Sequence, residues 1–182
     1  MFLFGKKKKE AELERRALAG DADAQYDYAD LLSERKEYDR AQEFYLKAAR
    51  QGHLTAIGYC FGYYFPTAYA VYEEENILSE IDIAIEMGQI ALQYGDDFIA
   101  KTLPFVKRLK AVLEQYQKGA LDGDDEATFA ITKFLCEDPD ALSVYDSVGA
   151  KDEYYECISE YLHELADNGL ADANLLLMRM GL

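Results

Sequence analysis

Apolar side chains along this chain recur at intervals of three and four, the spacing that gathers them on one face of an α-helix, and no stretch alternates as a strand would. The clearest pair of helices covers about 22–34 and 38–51, joined by a short polar turn, with Ala41, Phe44, Tyr45, Ala48 and Ala49 on one side of the second. Further along, Ile77, Leu78, Ile81, Ala84, Ile85 and Gly88 continue a helical stripe to about Tyr94. Asp96 and Asp97 open another helix, and 98–118 reads as helical with an interruption or restart at Pro104. Pro139 begins a short helix ending near Gly149, and Tyr154, Ile158, Tyr161, Leu162 and Leu165 mark a strong amphipathic one. The pattern predicts an all-α chain of about ten helices with short connections.

A repeat lies in the small residues. Ala-x-x-Gly-x-x-x-Ala occurs at Ala17/Gly20/Ala24, Ala49/Gly52/Ala56, Ala120/Gly123/Ala127 and Ala166/Gly169/Ala173. Aligned on the glycines, the position eight residues on holds Tyr28, Cys60, Ile131 and Leu177, and the position eleven on holds Leu31, Tyr63, Phe134 and Met180. One further on stand Leu32, Tyr64 and Leu135, with Gly181 breaking the column. The interval of 71 between the second and third glycines is about two repeat lengths, so a degenerate unit is expected near Gly88 or Gly95. Physically, the glycine ends one helix at positive φ, Asp21 or Asp124 caps the next, and the alanines let consecutive helices approach closely. A hairpin built this way leaves an apolar face that the next hairpin covers, so copies stack.

In its first unit the chain resembles the Sel1-like repeat, a relative of the tetratricopeptide repeat. The likeness rests on Ala24-Gln25, Tyr28-Ala29, Leu31-Leu32, Asp39, Ala41, Phe44-Tyr45, Ala48-Ala49, Gly52 and Ala56. Later copies lack the aromatic pair, and the turn at Arg35-Lys36-Glu37 lacks the family's usual glycine. The resemblance implies a right-handed solenoid of stacked antiparallel helix hairpins, with the first helix of each hairpin lining a concave groove. It thereby implies that Tyr26, Asp30, Gly58, Gly62, Phe129 and Lys133 face a protein or peptide partner. A plainer explanation is that Phe129 is core and that Gly58 and Gly62 permit helix packing. The expected layout is a flexible basic start at 1–10 and one helical-repeat domain at 11–182. Clear repeats fall near 17–65 and 120–182, around a degenerate or inserted middle at 66–119.

Charge sharpens this picture. The formal net charge is −16, unevenly spread: 1–50 is balanced, 51–100 carries eight acidic and no basic side chains, and 111–182 has sixteen acidic against four basic. Lys101, Lys107, Arg108 and Lys110 form an isolated basic island. Such a field repels phosphate backbones, so nucleic acid is not an expected ligand. Solubility explains the imbalance, and attraction to a basic partner is the sharper reading. Fifteen Tyr and no Trp suit half-buried surface, since a tyrosine ring packs while its hydroxyl stays near water. Cys60, Cys136 and Cys157 show neither disulfide nor metal-ligand spacing, which fits a reducing cytoplasm. Met1-Phe2-Leu3-Phe4-Gly5 followed by Lys6 to Lys9 is not a secretory signal, and no run approaches a membrane span, so stable membrane association is not expected.

No motif of catalysis or cofactor binding stands out, and no cofactor is implied. His53 and His163 read as ordinary surface histidines, Asp122-Gly123-Asp124-Asp125-Glu126 as a capped helix start rather than a calcium loop, and Glu73-Glu74-Glu75 as a solvated run. The expected function is a non-catalytic adaptor with a helical-repeat groove. The alternative is an acidic inhibitor or immunity-type protein neutralising a basic partner such as a nuclease toxin. Self-assembly stays open, through an uncapped end helix at 174–180.

Overall fold

A computed structural model describes the backbone of residues 2–182 and the side chains from Lys7 onward. Among the described residues it is all-helical and has no strand. Eleven helices follow in order: α1 (Phe2–Leu18), α2 (Ala22–Glu34), α3 (Tyr38–Arg50), α4 (Leu54–Tyr63), α5 (Ala70–Glu73), α6 (Ile77–Leu92), α7 (Asp97–Leu121), α8 (Asp125–Glu137), α9 (Ala141–Ser147), α10 (Lys151–Asp167) and α11 (Ala171–Met180). The basic start expected to be flexible lies within α1 from Phe2 on, and Met1 is outside the described residues.

Each copy of the small-residue pattern is a helix-to-helix joint. Gly20, Gly52, Gly123 and Gly169 all sit at positive φ, between 81° and 95°. Each glycine N–H donates to the carbonyl of the first alanine of its pattern: Ala17, Ala49, Ala120 and Ala166. The residue after the glycine then donates back five positions, Asp21 to Arg16, His53 to Ala48, Asp124 to Gly119 and Leu170 to Leu165, at 2.9–3.2 Å. These two bonds satisfy carbonyls that a helix C-terminus otherwise leaves open. The same post-glycine residue caps the next helix. Asp21, His53 and Asp124 accept from the N–H groups of Ala24, Ala56 and Ala127, the second alanine of each pattern. At the fourth joint Leu170 has no such atom to offer, and α11 starts without a side-chain cap.

The residues eight past the glycines, Tyr28, Cys60, Ile131 and Leu177, are buried in all four copies, as are Ala24, Ala56, Ala127 and Ala173. The position eleven on is not core: Leu31, Phe134 and Met180 are half-buried and Tyr63 is exposed. At about 100° per residue, positions four, eight and twelve fan across one face, and position eleven falls on its edge. The middle joint is at Gly95 (φ 75°), where Asp96 accepts from the Ile99 N–H at 2.9 Å. Leu92 and Ile99 stand where the other joints have alanine, which hid this copy. Gly88 lies inside α6. The glycine missing between α2 and α3 is replaced by Lys36, which takes φ 63° and makes the same paired bonds, Lys36 to Ser33 and Glu37 to Leu32. Pro104 does not restart a helix. α7 runs through it, because Leu103, Phe105, Val106, Leu109 and Leu113 make one buried stripe across the proline and outweigh the lost backbone bond.

The chain gathers into two compact units, Met1–Tyr64 with Glu86–Ile99, and Phe65–Ile85 with Ala100–Leu182. In unit 1, α1 packs on α2, α2 on α3 and α3 on α4. A glutamine chain ties the ends of its first three helices: Gln25 Nε2 donates to the Ala17 carbonyl (3.1 Å) and Gln51 Nε2 to Gln25 Oε1 (2.6 Å). In unit 2, α10 packs on α8, α9 and α11, and α8 also meets α9 and α11. Its core holds an aromatic cluster centred on Tyr145, whose ring lies 5.8 Å from Phe65, 5.9 Å from Phe105 and 5.0 Å from Tyr154 between centroids. The buried hydroxyls are all satisfied, Tyr145 donating to the Pro66 carbonyl (3.3 Å), Tyr154 to that of Leu135 (2.8 Å), and Tyr72 pairing with Thr132 (2.9 Å).

Candidate protein-binding surfaces

On unit 1, α2, α3 and α4 bring tyrosines together at a surface. Tyr26 of α2 lies 5.6 Å from Tyr45 of α3, and Tyr45 lies 4.2 Å from Tyr59 of α4, between ring centroids. Tyr63, one helical turn past Tyr59, continues the row at 6.1 Å. The inner member, Tyr45, is buried, while Tyr59 and Tyr63 are 42% and 57% exposed. His53 stacks on Tyr26 at 4.5 Å. Because its Nδ1 accepts the Ala56 N–H (3.2 Å), its proton is on Nε2, which lies 3.7 Å from Asp23. Asp30, exposed on α2, accepts the Tyr45 hydroxyl at 2.5 Å. Burial first, and Asp30 after it, push the Tyr26 and Tyr45 hydroxyls above the ordinary tyrosine range, so both stay protonated donors.

Gly58 and Gly62 lie on the outer side of α4, beside Tyr59 and Tyr63. Both are exposed, and a Cβ at either would meet nothing within 4 Å. Neither glycine is therefore needed to admit a close neighbour, since a side chain at either position would have room. Gly58 instead lines a pocket of about 170 Å³ with Leu54, Ile57, Ala91, Tyr94 and Asp96. The backbone of α4 is left bare toward solvent, at a helix-weakening cost of about 1 kcal/mol per interior glycine.

On unit 2, Phe129 and Lys133 line an open groove of about 760 Å³ bounded by α7 and α8. Val112, Tyr116, Ala130 and Phe134 give it an apolar floor, and Asp124, Glu126 and Glu137 an acidic rim. On the other side of Phe129 and Lys133 is a smaller groove of about 180 Å³, shared with Leu175, Leu176 and Arg179 of α11. Phe129 is thus half-buried groove lining and not core, and Leu175 and Met178 of α11 are exposed.

The basic island is partly consumed within unit 2. Arg108 is held by Asp138 and Asp140, and Lys110 by Asp82 (2.7 Å) and Glu114 (3.2 Å). These two of its four members offset acidic neighbours, while Lys101 and Lys107 are exposed. The Cys60 and Cys136 thiols are pushed up to about 12 by burial, and Cys157 is raised in the same way, so none is a ready nucleophile. Among the described residues, no three His, Cys, Asp or Glu side chains converge as a metal site. No helix there is long and apolar enough to cross a membrane.

Of the six residues singled out in the sequence, Tyr26, Asp30, Gly58 and Gly62 belong to the tyrosine surface, and Phe129 and Lys133 to the groove of unit 2. Sequence reasoning missed Tyr45, Tyr59, Tyr63 and His53. Tyr59 and Tyr63 each directly follow a singled-out glycine, which is the signal that was there to be used. Val112 and Tyr116 carried none, because they come from α7 rather than from a repeat's first helix. Comparison with family models, curated proteins and solved structures returns no match for this chain.

Proposed function

We propose that this protein is a non-catalytic interaction module of the Sel1-like, tetratricopeptide-related kind, its hairpins stacked as a right-handed solenoid, that binds a peptide or protein across its helix surfaces. The observation that carries the reading is the tyrosine surface of unit 1, where large exposed aromatics flank bare helix backbone at Gly58 and Gly62. Tyrosines bring large contact area at little conformational cost, and open glycines let a partner's backbone come close. The repeat assignment is supported by four joints with one hydrogen-bond geometry, by the common buried position eight residues on, and by α1 to α4 each packing on the next. Three cysteines without a disulfide suit a reducing cytoplasm.

Photo-crosslinking tests the reading. A benzophenone amino acid at Tyr63 should yield discrete protein adducts in cells that are lost on Tyr26→Ala or Tyr59→Ala. The same group at Tyr38, also exposed on unit 1 but outside the tyrosine row, should not. Equal adducts from both positions would refute it.

A further inference from the structure

We infer that the tyrosine surface of unit 1 receives an arginine side chain from a polypeptide partner, with Asp30 as counter-charge and the Tyr26, Tyr59 and Tyr63 rings as stacking planes. The inference rests on that surface being the interaction site.

Asp30 is the centre of the argument. A carboxylate has room for about four hydrogen bonds. The described bond to Asp30 comes from the Tyr45 hydroxyl, and among the described residues no Lys, Arg or His pairs with it. Helix α4, which supplies Tyr59 and Tyr63, lies in the stretch 51–100 that has no Lys or Arg, and the one histidine there, His53, faces Asp23 rather than Asp30. The other charges along this side of α2, Asp23 and Asp27, are also acidic and exposed. The rings already feel the field. After burial, Asp30 is among the groups that raise the hydroxyls of Tyr26, Tyr45 and Tyr59.

An apolar partner covering this surface would strip water from an uncompensated carboxylate, and an acidic one would be repelled. A cation satisfies both the carboxylate and the negative faces of the rings. Arginine fits better than lysine, because its planar guanidinium grips a carboxylate with two donors while lying flat on an aromatic ring. Gly58 and Gly62 leave the space through which the chain bearing it comes close to α4.

The test is an NMR titration of the 182-residue chain with three pentapeptides, acetyl-Gly-Gly-X-Gly-Gly-amide, where X is arginine, lysine or the neutral isostere citrulline. The arginine peptide should shift the ring signals of Tyr26, Tyr59 and Tyr63 saturably, the lysine peptide more weakly, and the citrulline peptide not at all. Asp30→Asn, which can still accept the Tyr45 hydroxyl, should weaken arginine binding about tenfold or more while leaving the thermal melt in place. Citrulline binding as well as arginine, indifference to Asp30→Asn, or shifts scattered over other acidic residues would each overturn the inference. The crosslinking experiment separates the two proposals. Partner adducts at Tyr63 that persist in Asp30→Asn leave the interaction surface standing and reject the arginine site. Loss of specific adducts from the wild type rejects the surface itself.

Discussion

Tyr72 and Thr132, sixty positions apart in the chain, meet in the core of unit 2 through their hydroxyls at 2.9 Å. Thr132 gives its own proton to the Thr128 carbonyl at 2.8 Å, so Tyr72 is the donor to Thr132. Tyr72 lies on the four-residue helix α5, between Val71 at full burial and a ring stack with Tyr161 at 3.9 Å. The segment that the repeat pattern left undefined is thus anchored in the core. Tyr72→Phe keeps the ring and leaves a buried Thr132 acceptor short of its partner. It should destabilise unit 2 by about 1–2 kcal/mol in urea unfolding, with an unchanged denaturant slope.

One substitution should act in opposite directions at two glycines. Gly20 sits at φ 95°, so Gly20→Ala forces a side chain into the left-handed region and should cost about 1 kcal/mol or more. Gly58 is helical and open, so Gly58→Ala should raise stability by about 0.5–1 kcal/mol. Parallel chemical denaturation of the two variants checks the signs. If Gly58→Ala stabilises the fold yet diminishes the crosslinks from Tyr63, the bare backbone is kept for contact.

Gln42 of α3 buries both its amide nitrogen and its amide oxygen with no hydrogen-bond partner. Gln42→Met keeps the length and removes the unsatisfied pair. An unfolding gain of about 1–2 kcal/mol is expected, and a loss would show that the amide is satisfied in solution.

Acid should weaken unit 2 through Asp138. Arg108 Nε and Nη2 donate to it at 2.7 and 2.9 Å, and its side chain is only 3% exposed. Burial raises the carboxyl, but Arg108 and the Asp140 and Ala141 N–H groups outweigh it, and the net position lies below the ordinary aspartate value. A depressed folded-state value means stability that is present above the unfolded value of about 3.9 and lost as pH falls through the folded one. Thermal melts should therefore drop below about pH 4, and Asp138→Asn should flatten that drop. Arg108→Ala at neutral pH should cost about 1–2 kcal/mol, because it strands a nearly buried charge.

How much was legible follows from range. The limits of α2 and the start of α3, the left-handed glycines and the caps at Asp21 and Asp124 are set by residues within one turn of each other, and the sequence pattern placed them correctly. Pro104 was misjudged because local preference argues for a break, while the buried stripe from Leu103 to Leu113 depends on packing partners far along the chain. His53 looked like a plain surface residue for the same reason: its cap is local, but its stack on Tyr26 crosses two helices. Tyr59 and Tyr63 on the surface and Tyr45 beneath them are one residue type in two settings, and composition does not tell them apart.

The joints have a kinetic consequence. Each is complete within about eight consecutive residues: its left-handed glycine, its two backward bonds and, in three cases, its cap close loops that cost little entropy to form. Hairpins such as α3–α4 can therefore be assembled early, from neighbours in the chain. Long-range ties such as Tyr72 to Thr132 must wait for larger loops to close, so the core of unit 2 is expected to complete after its own local joints.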